Sequence, residues 1–179
     1  MNPSLANRLS SMAKAMEDVV IPALRNEDGI ALEQAGIVLA HLRMAAEQEP
    51  YTAGYEHICL ADAESVAHTL IASASAGFQS LPALAVLETV LNGSGEGRYS
   101  ALTQALEALV REAHEAGLFS LSAPEIKLTL WFSQRQADRD RAWFAAAGFD
   151  WNRDALPSLS DLTGTDRWDQ YNPLIVHQI

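Results

Sequence analysis

Cysteine is almost missing from this chain: Cys59 is the only one in 179 residues. That excludes an internal disulfide framework and a zinc centre built from several thiolates. Basic residues are scarce as well, 12 Lys and Arg against 23 Asp and Glu, for a formal net charge of −11. Tracking a phosphate backbone or docking on an anionic membrane surface needs the opposite balance, so neither nucleic acid nor membrane is expected as a partner. Long apolar runs are missing too. The stretch between Glu64 and Glu88 carries no Asp, Glu, Lys or Arg, but His68, Ser73, Ser75, Gln79, Ser80 and Pro82 interrupt it and Gly77 sits near its middle. A spanning helix needs about 20 predominantly apolar residues, and this segment fails that test. Residues Met1 to Arg8 have no apolar segment behind their positive charge, so no secretory leader is expected and a cytoplasmic location is. Strand signals are confined to the short terminal run Leu174-Ile175-Val176.

What is present is helical periodicity. With 49% hydrophobic residues the chain is foldable, and its length suits a single domain. Leu5, Leu9, Met12, Met16 and Val19 recur at three and four, predicting a first helix that Pro22 ends or kinks. Asn26-Glu27-Asp28 can cap a second helix reaching Gln48, with Pro50 closing it. A third is expected from Tyr51 or Thr52 to Ala76, with Gly77 just past its end, and a fourth from Leu81 or Pro82 to Leu91. Asn92 to Gly97 reads as a loop. Leu102, Ala105, Leu106, Leu109, Val110 and Ala113 form the apolar stripe of a fifth helix stopped by Gly117. Ser122-Ala123-Pro124-Glu125 is a capping-box pattern opening a sixth helix that should run to Ala147.

The expectation is an all-α protein: a single helical bundle of about five to seven helices with an irregular aromatic C-terminal tail. Composition divides the chain into an Ala/Leu-rich bundle at 1–118, an aromatic helix at 119–149 and a wrapping tail at 150–179. Trp131, Trp143, Trp151 and Trp168 all follow Leu118, as do Phe119, Phe132, Phe144, Phe149 and Tyr171. Residues Ala72 to Gly77 are all small, which lets helix backbones approach closely.

Candidate chemistry is sparse. Di-metal bundle sites use Glu-x-x-His pairs, but the residues three before each histidine are Val38, Gly54, Ser65, Arg111 and Leu174. Glu64 and His68 are four apart on one helical side and could share an ion, or simply face water with Ala61 and Ser65. His57 shares that side but stands about 16 Å along the axis from His68. Asp62 falls in an apolar arc with Tyr55, Ile58, Cys59, Val66 and Leu70. There it is a functional carboxylate, a general base or cation anchor, or one half of an ion pair with Arg8, Arg25 or Arg43, or it sits at an edge that solvent reaches. Gln34, His41 and Gln48 recur every seven residues on a face that also carries Ile30, Ile37, Val38 and Met44. Such polar residues mark the edge of an apolar face, an interface seam, or a ligand pocket in which His41 would be the acid–base group.

Two loop patterns complete the survey. Gly93-Ser94-Gly95-Glu96-Gly97-Arg98 resembles a phosphate cradle, but a helix precedes it and Glu96 places negative charge inside it, so a linker is expected. Asp150, Asn152, Asp154, Ser158 and Asp161 match the oxygen spacing of a calcium loop. Ala155 stands where that loop needs glycine, Pro157 removes an amide, and Asp161 replaces the terminal glutamate. The run Arg135 to Arg141 reads as an exposed ion-pair face. No Gly-x-Ser-x-Gly elbow is present, and Cys59 lies on an apolar face. The leading expectation is a non-catalytic protein acting through self-association, as a homodimer, or through a protein partner, with the tryptophans as interface and no cofactor. The alternatives are a ligand pocket or enzyme site near Asp62 and His41, and calcium binding in the tail.

Overall fold

The computed structural model describes residues 3–24, 29–147 and 152–163 of the chain. Among the described residues every regular element is helical and no strand occurs, as the periodicity predicts. Leu174-Ile175-Val176, Trp151 and Trp168 lie outside them.

Helix α1, Leu5–Ala15, starts where Ser4 Oγ accepts the Asn7 N–H at 3.2 Å. Pro22 does not stop it abruptly. The chain widens into a π-turn over Met16–Val20, in which the Ile21 N–H reaches the Met16 carbonyl, and continues as α2, Ile21–Ala23. Pro22 has no amide to return to the turn before it, and Leu24 then leaves in extended conformation. Helix α3 is Gly29–Gln48. Pro50 falls in the first turn of a 3-10 segment, Glu49–Tyr51, where a missing amide costs nothing. Helix α4, Thr52–Ser73, follows directly.

α4 ends three residues before the expected Ala76. The cause is distant in sequence: Glu125 Oε1 accepts the Ser75 N–H at 2.8 Å, and Ser75 turns extended. A short α5, Ala76–Gln79, restarts behind it, so Gly77 lies inside a helix rather than beyond one. A Cβ added at Gly77 would come within 3.0 Å of Leu118 Cδ2, so the two segments are in close contact.

Helices α6, Pro82–Leu91, and α7, Arg98–Glu115, have the expected limits. Glu112 Oε2 accepts the Ala83 N–H at 2.8 Å, so a carboxylate of α7 satisfies an open donor at the start of α6. Gly117, at φ +71°, closes α7: the Gly117 N–H reaches the His114 carbonyl at 3.1 Å and the Leu118 N–H reaches Ala113 at 2.8 Å. These are the paired bonds of a Schellman stop.

Helix α8 is Pro124–Trp143, ending before the expected Ala147; a 3-10 turn covers Ala145–Ala147. The capping box is replaced by other partners. Ser122 Oγ lies 2.7 Å from Ser120 Oγ, while Glu125 serves Ser75. The tail is more regular than expected, with a 3-10 turn at Arg153–Ala155 and a helix α9, Leu159–Thr163, begun by Ser158 Oγ accepting the Asp161 N–H.

The chain forms two compact units. Unit 1 comprises Met1–Gly54 with Arg139–Gln170, and unit 2 comprises Tyr55–Asp138 with Tyr171–Ile179. Unit 2 has the larger core, built from Val66 and Leu70 of α4, Leu87 of α6, Leu102 and Leu109 of α7, and Ile126 of α8. Each buried aliphatic side chain contributes about 1.5–3 kcal/mol, which makes these stripes the basis of the unit. In unit 1, α1 packs on α3 and the buried set is leaner: Ala13, Ala35, Met44, Ala142, Trp143 and Leu162. Gln48 Nε2 donates to the Trp143 carbonyl at 2.7 Å, and Thr163 of α9 sits against Gly54.

Candidate functional site

Asp62 belongs to unit 2 and His41 to unit 1. Each has its own surroundings.

Asp62 is half-buried and gripped by one partner. Arg135 Nη2 donates to Oδ1 at 2.7 Å and Nε donates to Oδ2 at 3.1 Å. Fork-to-fork pairing of this kind uses both carboxylate oxygens and fixes their orientation. A neighbouring link, Gln136 Nε2 to Tyr55 Oη at 3.2 Å, ties the same two helices, α4 and α8, inside unit 2. The helix-to-helix ion pair is therefore real, but Arg135 fills the role for which Arg8, Arg25 and Arg43 were the candidates. Arg43 instead pairs with Glu17 at 2.6 Å.

The run from Arg135 to Arg141 is not an exposed ion-pair face. Arg139 is 2% exposed and the Arg135 side chain 10%. Both stand on the α8 stripe that also buries Phe132 and Trp143, spaced by three and four residues. Composition alone gave no sign of this, because charge alternates along the run while burial follows the helical period.

Glu64 is likewise engaged. Arg98 Nη1 meets its Oε1 at 2.5 Å, and Arg98 Nη2 donates to the Leu91 carbonyl at 2.7 Å. Arg98 thus closes the C-terminus of α6, which gives the glycine loop's arginine a structural duty. His57 and His68 are exposed and Cys59 is buried. Among the described residues, no group of three or more His, Cys, Asp or Glu is placed to hold a metal ion. In the tail, Asn152 gives its carbonyl to the Ala155 N–H at 3.1 Å, and Asp154 is exposed within the 3-10 turn. Asp150 lies outside the described residues.

The tryptophans divide. Trp143 is buried in unit 1, and Trp131 is partly exposed in unit 2.

His41 stands on a different kind of surface. The inner side of α3, with Ala35, Leu39 and Leu42, is covered, and α1 packs on this helix. Its other side carries Ile30, 79% exposed, Ile37, 44%, and Val38, 46%. A helix apolar all round is normally enclosed all round. Here the outer seam Ile30, Gln34, Ile37, His41, Met44, Gln48 follows the three–four spacing of a packed helix pair. Among the described residues its C-terminal end is covered within unit 1, where Met44 is buried and Gln48 holds the Trp143 carbonyl. Along the uncovered part runs an open cavity of about 330 Å³ lined by Glu33, Gly36, Ile37, Ala40, His41 and Met44, with Ala147 at one side. Gly36, Ala40 and Ala147 make it wide.

Among the described residues the molecule is a helical protein with an exposed apolar seam on α3 and no group of three or more His, Cys, Asp or Glu placed to hold a metal. The chain matches no protein-family model, no curated protein and no solved structure. Among the described residues, no helix is long and apolar enough to cross a membrane.

Proposed function

We propose that this chain is a non-catalytic helical protein that works by associating with protein, most simply with itself as a homodimer. The observation that carries this reading is the outer seam of α3, where Ile30, Ile37 and Val38 face water along the groove that holds His41. Exposed apolar patches of this kind, rimmed by polar residues, mark interaction surfaces more often than they decorate monomers. Glu33, Gln34 and His41 supply the polar residues of that face and with them specificity. The engagement of Asp62 by Arg135 supports the same reading, since a carboxylate with both oxygens held is poorly placed to accept a substrate proton. A cytoplasmic location accords with the net charge of −11 and the single buried thiol.

Light scattering behind size exclusion tests this over a hundredfold range of protein concentration. The expected mass is twice 19.4 kDa at the upper end. A mass of 19.4 kDa throughout removes the self-association reading.

A further inference from the structure

We draw no further inference here: the strongest candidate, the open groove along the outer face of α3 beside Ile37 and His41, is an apolar surface for which nothing among the described residues shows what covers it.

Discussion

Arg135 holds Asp62 through two parallel hydrogen bonds, 2.7 and 3.1 Å long, that join α8 to α4 inside unit 2. The Arg135 side chain is 10% exposed and that of Asp62 16%, so neither charge can return fully to water if the other is removed. The pair orders the unit without needing any catalytic purpose.

Removing one partner should consequently be costly. Asp62→Ala strands the arginine, and the expected loss is about 2–4 kcal/mol, a little below that of a fully enclosed pair because some water reaches the site. Replacing both residues by Leu and Met should cost less than either single change. Urea denaturation of the three variants checks this, and a double variant as unstable as the sum of the singles would contradict it.

Glu125 gives the molecule an acid-sensitive joint. Burial alone would push its carboxyl up, but the Ser75 N–H, its own amide and the Ser75 hydroxyl together hold it below the usual glutamate range. A group lowered on folding stabilises the protein above its unfolded pKa, about 4.3, and loses that contribution as pH falls below it through the folded value. Thermal melts of wild type and Glu125→Gln should differ at pH 7 and converge toward pH 3. Parallel melting curves across that range would refute the role.

The two ends of backbone freedom can be separated at glycines with empty surroundings. Nothing lies within 4 Å of a Cβ built at Gly117 or at Gly36, so substitution there acts through the backbone alone. Gly117 has φ +71°, and Gly117→Ala should cost about 1–2 kcal/mol. Gly36 is inside α3, and Gly36→Ala should add about 0.5–1 kcal/mol to the stability of a dilute sample. Chemical denaturation reads both, with opposite signs expected.

Much of this architecture is legible in the residues, for a physical reason. Apolar spacing and stop residues are local signals, so α6, α7 and the Gly117 stop can be placed from them. What escapes is what depends on a distant partner. α4 ends at Ser73 because Glu125, fifty residues beyond Ser75, takes the Ser75 amide. Ser122 and Glu125 have the spacing of a capping box, yet the glutamate finds a better use across the unit. The Arg135 to Arg141 run hides its burial because guanidinium groups count as surface in any composition-based reading, although two of them stand on the core stripe of α8.

The site was half legible. The seven-residue recurrence of Gln34, His41 and Gln48 marks a seam, but periodicity cannot tell which turns of a seam the chain covers by itself. Met44 and Gln48 are taken up inside unit 1, while Ile30 and Ile37 are left to water. Asp62 looked chemically available for the opposite reason: its partner belongs to a helix seventy-three residues away.

The central claim can be read from one engineered thiol, because Cys59 is buried and gives a silent background. Self-association that covers the exposed α3 seam would bring Ile37 of two copies together, and a disulfide needs a Cα separation of about 4.4–6.8 Å. Ile37→Cys, mildly oxidised at a concentration where the dimer forms, should run as a covalent dimer on a non-reducing gel. Leu121→Cys, on a still more exposed site in unit 2, should stay monomeric. Efficient cross-linking at position 37 alone is the predicted result. No cross-link there, or equal cross-linking at both positions, would contradict self-association through the α3 seam.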